Sequence, residues 1–75
     1  MRDYRVTAFW DPEAAVWVAT SEDVPGLATE ADTVEALVDK LKIMIPELLD
    51  CAGQAAHAPI SFHLHTERHD VAAAF

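Results

Sequence analysis

Between Tyr4 and Trp10, apolar residues recur at every second position: Tyr4, Val6, Ala8 and Trp10 alternate with Arg5, Thr7 and Phe9. A period of two places alternate side chains on opposite faces of a β-strand. The segment Val16 to Ser21, VWVATS, keeps the same β-branched and aromatic character and predicts a second strand. Asp11-Pro12 opens the stretch between them, and a loop of about five residues, DPEAA, suits an antiparallel hairpin. Pro25-Gly26 is the next breaker, after which Leu27 to Glu30 predicts a short third strand.

From Thr33 the period becomes helical. Val34, Leu37, Val38, Leu41, Met44, Ile45, Leu48 and Leu49 fall on one stripe, with Glu35, Asp39, Lys40, Lys42, Glu47 and Asp50 outside it. Asp32 or Thr33 supplies the N-cap oxygen, and Glu35 meets the positive end of the helix dipole. Pro46 lacks the N–H that would bond to the Lys42 carbonyl. Because Leu48 and Leu49 stay in phase beyond it, the expectation is a helix kinked at Pro46 and running to about Cys51. Gly53 stops it, and GQAAHAP is an aperiodic connection. Ile60, Phe62 and Leu64 then alternate with Ser61, His63 and His65, which predicts a fourth strand over 60–64. The end, RHDVAAAF, is read as a fraying tail.

The expected fold is therefore α+β: one β-β-β-α-β domain over 1–75, with an ordered core of about 4–67 and a tail at 68–75. Three strands form an antiparallel meander, and the fourth returns beside the first and parallel to it. One helix covers one sheet face. Apolar residues occupy both faces of the first two strands, Phe9 opposite Tyr4, Val6 and Ala8, and Trp17 opposite Val16 and Val18. Some apolar sheet surface is left over for a partner.

Composition narrows the function. At 75 residues the chain buries only about 60% of the surface its unfolded form exposes, so self-association, as a homodimer or larger homo-oligomer, is expected to supplement the core. The single cysteine, Cys51, rules out an intramolecular disulfide. With no secretory signal and no apolar run near 20 residues, a cytoplasmic, membrane-free location is expected. Thirteen acidic against five basic residues give a formal net charge of −8. That balance repels a phosphate backbone and argues against direct nucleic-acid binding. It suits solubility, or steering onto a basic protein.

Chemistry-bearing residues are sparse. His57, His63, His65 and His69 have no ligand-type spacing, although His63 and His65 share a strand face. They are read as solvent-facing, with no metal and no cofactor required for folding. Cys51 sits at a helix end whose dipole disfavours a thiolate, and adjacent Glu22 and Asp23 are not a coordination cage. Two glycines exclude a glycine-rich phosphate loop. No catalytic residue is assigned, and the chain is expected not to be an enzyme. The candidate partner-binding residues are Trp17, Glu22, Asp23 and Ile43: an aromatic anchor, a pair of loop carboxylates, and a lone apolar residue on the polar side of the helix.

The segment DVPGLATEADTVEAL, Asp23 to Leu37, resembles the HicB-type antitoxins of bacterial and archaeal toxin–antitoxin pairs. Their Pro-Gly turn, short strand, Asp-Thr step and acidic, alanine-bearing helix start match Pro25, Gly26, Asp32, Thr33, Glu35 and Ala36. The likeness spans about residues 4–67, and YRVTAFWDPEAAVWVATSEDVPGL is closer still to a family of short, uncharacterised bacterial proteins related to that domain. The resemblance implies a partial RNase H-like sheet with one helix. It also implies a non-catalytic antitoxin that neutralises a small basic HicA-type ribonuclease; the alternative is an orphan self-associating module with no toxin partner. Many HicB antitoxins carry a DNA-binding domain. Here the sequence ends at Phe75 without a basic segment, so operator binding is not expected. Nuclease chemistry is not expected either, because Asp11, Glu13, Glu22 and Asp23 fall in loops without an acidic metal cluster.

Overall fold

A computed structural model describes residues 3–54 and 59–74. In chain order they form β1 (Asp3–Asp11), β2 (Val16–Thr20), β3 (Ala28–Ala31), α1 (Val34–Cys51) and β4 (Ser61–Glu67). The sheet order is β3-β2-β1-β4. β1 pairs antiparallel with β2, and β2 with β3, while β4 lies parallel to β1. This is the α+β class and the strand arrangement expected from the periodicity.

Boundaries differ from the expected ones by a few residues. Asp11 belongs to β1, so the hairpin loop is 12–15. The Asp11 carboxylate accepts the backbone N–H groups of Glu13 (3.0 Å) and Ala14 (3.3 Å), an Asx turn that closes the reversal. β3 is shifted one residue on, and Leu27 precedes it as a core residue. The fourth strand occupies 61–67 in place of the expected 60–64, because β1 offers a ladder as far as Phe9, which pairs with Glu67. Beyond it residues 68–74 form neither helix nor strand, but Arg68 is anchored. Its guanidinium lies 4.4 Å from the centre of the Trp10 ring, within cation–π range, and its Nε donates to Asp70 at 2.7 Å. Residues 55–58, His57 among them, lie outside the described residues.

The helix runs unbroken from Val34 to Cys51 with Pro46 inside it. Only one i, i+4 row, Leu37, Leu41, Ile45 and Leu49, is fully buried. Val34, Val38, Met44 and Leu48 flank it half-buried. Of the two cap candidates, Thr33 is the one used: its hydroxyl accepts the Ala36 N–H at 3.0 Å. At the other end Gly53, with φ +77°, allows Gln54 N–H to reach the Leu49 carbonyl and Gly53 N–H that of Asp50, a Schellman closure. Thr33→Ala should cost about 1 kcal/mol, and Asp32→Ala almost nothing, in paired thermal melts; the reverse ranking would show that the cap is misassigned.

The helix row meets Tyr4, Val6 and Ala8 of β1, Ala19 of β2 and Ala31 of β3. Two further core members come from the loop between β2 and β3. Leu27 N–H bonds to the Val24 carbonyl at 3.2 Å across Pro25-Gly26, with Gly26 at φ +80°. Proline at the second position and a positive φ at the third define a type II turn. It plants Val24 and Leu27 in the core, 0% and 4% exposed.

Candidate functional site

Among the described residues every buried side chain is apolar or aromatic, and no carboxylate, imidazole, amine or thiol is held in a desolvated pocket. The chemistry of this chain lies on its surface, and the sheet face turned away from α1 is where it concentrates. The strand registers align one row across all four strands: Glu30 of β3, Val18 of β2, Phe9 of β1 and Glu67 of β4. An apolar pair thus lies between two carboxylates. Phe9 is 48% exposed, although its neighbours on both sides are strands. The next row is Ala28, Thr20, Thr7 and His65.

Beside Phe9 the face sinks into a hollow of about 500 Å³ lined by Arg5, Thr7, Thr20 and the Ser21–Asp23 loop. Its wall is built from a substitution of side chains for a strand. β2 stops at Thr20, opposite Thr7, so Arg5 has no ladder partner on that side. Ser21 Oγ donates to the Arg5 carbonyl, and the Asp23 carboxylate accepts the Arg5 N–H at 2.8 Å. Ser21 Oγ also accepts the N–H groups of Asp23 (3.1 Å) and Val24 (3.2 Å). Buried or edge backbone groups need such partners, and here a Ser-x-Asp loop supplies them.

The four sequence candidates do not converge. Glu22 is exposed and Asp23 half-buried on the hollow, so only Glu22 projects freely; Asp23 is engaged by Arg5. Trp17 lies half-buried on the helix side of the sheet, packed on the core. Its ring meets Trp10 edge-on, centroids 5.4 Å apart at 61°, a favoured aromatic geometry. Ile43 is 64% exposed on the outer side of α1. Sequence reasoning leaves Phe9, Glu30 and Glu67 off the candidate set. Phe9 is visible as the apolar residue out of phase in β1, but its alignment with the two glutamates depends on register, which no local pattern specifies.

His63 and His65 lie exposed on the same open face, as the alternation predicts. His63 Nε2 stands 3.5 Å from an Asp3 carboxylate oxygen. Among the described residues no three His, Cys, Asp or Glu side chains gather with metal-binding geometry. Cys51 is exposed at the last position of α1. No helix among the described residues is long and apolar enough to cross a membrane.

No functionally curated protein matches the chain. Among solved structures, it is similar to the crystal structure of hypothetical protein TTHA1013 from the extremely thermophilic bacterium Thermus thermophilus. The two are 53% identical with a TM-score of 0.81, covering 93% of this chain and 99% of that one. Residues 3–75 match the model of a domain of unknown function, DUF1902. With the whole sheet and the helix inside that match, the chain belongs to the DUF1902 family.

Proposed function

We propose that this chain is a non-catalytic protein-binding domain, an antitoxin of the HicB kind, whose open sheet face covers a small basic ribonuclease of the HicA type. The observation that carries the reading is the Glu30–Val18–Phe9–Glu67 row. An apolar centre with carboxylates at both ends suits a basic surface bearing an apolar prong, and the net charge of −8 steers such a partner in. The HicB resemblance of Asp23 to Leu37 names the partner class. The same reading has the domain acting in the cytoplasm as a homodimer or larger homo-oligomer. The orphan self-associating module is the form it takes if no toxin exists.

Coexpression with a HicA-type ribonuclease from the same genome tests this. The chain should restore growth and copurify with the toxin in one step. Phe9→Ala should speed dissociation, since a buried aromatic anchors a complex. Charge reversal at Glu22, Glu30 and Glu67 should slow association, most at low salt. Failure to bind and to rescue would leave only the orphan module.

A further inference from the structure

A mixed sheet of this order has two free edges, β3 and β4, and they are treated differently. β3 is four residues long, and the Glu30 carbonyl is capped by the Lys40 ammonium. A short strand covered by a lysine is a blunted edge. β4 has seven residues, SFHLHTE, with neither lysine nor proline. Its outward backbone groups follow from the ladder. Arg5 turns its N–H and C=O towards the β2 side, so Tyr4, Val6 and Ala8 turn theirs towards β4. The parallel register then engages His63 and His65, leaving Phe62, Leu64 and Thr66 pointing outward. Among the described residues, no backbone bond outside the sheet reaches them.

We propose that β4 pairs antiparallel with β4 of a second copy, centred on Leu64, and that His63 and His65 of both copies there hold one divalent transition-metal ion such as Zn²⁺. The inference rests on the self-association in the proposed function and gives it a place. A second copy fits because the strand is self-complementary about Leu64. In that register Leu64 faces Leu64 and Phe62 faces Thr66 on the helix side. This covers half-buried apolar side chains beside the 140 Å³ groove between α1 and β4. His63 faces His65 of the second copy on the open side. That is a non-hydrogen-bonded pair, in which Cα atoms approach to about 4.5 Å. The two pairs are neighbours, so four imidazoles share one small patch, enough donors for tetrahedral zinc.

Each copy alone offers only two of these ligands, so the site exists only in the dimer. The Asp3 carboxylate beside His63 Nε2 can orient that ring and leave Nδ1 for the metal. A bound cation also offsets the repulsion between two chains of formal charge −8.

Light scattering over a micromolar concentration range, with chelator and with added Zn²⁺, tests the proposal. Zn²⁺ should lower the dimer dissociation constant at least about tenfold, since an ion bound only by the dimer favours it by mass action. A His63→Ala/His65→Ala double variant, altered only at exposed positions, should lose the zinc response. Thr66→Pro should stay monomeric at native circular dichroism, because the N–H it removes points away from β1. Wild-type chain that is monomeric in every condition overturns both this proposal and the self-association reading. A dimer indifferent to zinc and to Thr66→Pro overturns this proposal alone. So does a zinc response that survives in the histidine variant.

Discussion

Leu41→Ala should lower the unfolding free energy by about 2–5 kcal/mol, the cost of emptying a fully buried leucine site and leaving a cavity. Leu41 is 0% exposed at the centre of the helix row, between Leu37 and Ile45, against the sheet. Proteins hold roughly 0.05–0.15 kcal/mol of stability per residue, so in a chain of this length the loss is a large part of the total. At about 4–8 °C per kcal/mol for a domain this small, the melting temperature should drop by more than about 8 °C. Ile43→Ala is the matched control, two positions away on the same helix but 64% exposed. It should stay within about 0.5 kcal/mol of the parent. Urea titration distinguishes the two by midpoint at similar slope. Equal losses at both positions would mean that the helix does not present the Leu37–Leu49 row to the sheet.

Ser21→Ala should cost about 2 kcal/mol although the side chain is not fully buried. Its hydroxyl makes three bonds, to the Arg5 carbonyl and from the Asp23 and Val24 amides, each contributing about 0.5–1.5 kcal/mol net. The loss reaches the core through Val24, which the loop holds at 0% exposure. Asp23→Ala removes the other half of the same clamp at Arg5, so the double variant should lose less than the sum of the singles. Glu22→Ala, between them and fully outside the clamp, should be neutral. Denaturant titrations of the parent and the four variants measure this, and strict additivity would show that Ser21 and Asp23 do not act together. The contrast also separates stability from recognition: Glu22 is the loop carboxylate that can be reversed without disturbing the strand behind it.

The elements β1, α1 and β4 are legible in the sequence because each has a clean period. Tyr4, Val6 and Ala8 mark β1, the Leu37–Leu49 stripe marks α1, and Phe62 and Leu64 mark β4. The parallel return of β4 follows from a helix placed between strands of one sheet. What local pattern misses is whatever depends on contacts far apart in the chain. Ser21 reads as the end of the second strand and Asp23 as a loop carboxylate, yet their bonds reach Arg5, 16 and 18 residues away. Trp17 is a case of a strand apolar on both faces: VWVA does not tell which side meets the helix, and the pairing of Trp17 with Trp10 places it on the core side. The row through Phe9 needs three registers at once, so in the sequence its glutamates look like ordinary solvated charge.

The parallel contact between β1 and β4 also imposes an order on the chain's birth. Asp3 is held against Ser61, and Phe9 against Glu67, so the first strand made waits for the last one made. During synthesis the meander and helix can collapse together, but the inner strand of the finished sheet keeps an unpaired edge until residue 67 has left the ribosome. Long-separated pairings of this kind are slow to close, and an exposed strand edge is a template for the wrong neighbour. The strand able to complete that edge in place of the chain's own is β4 of another copy, so the interval between making β1 and making β4 is the one in which exchange of strands competes with folding.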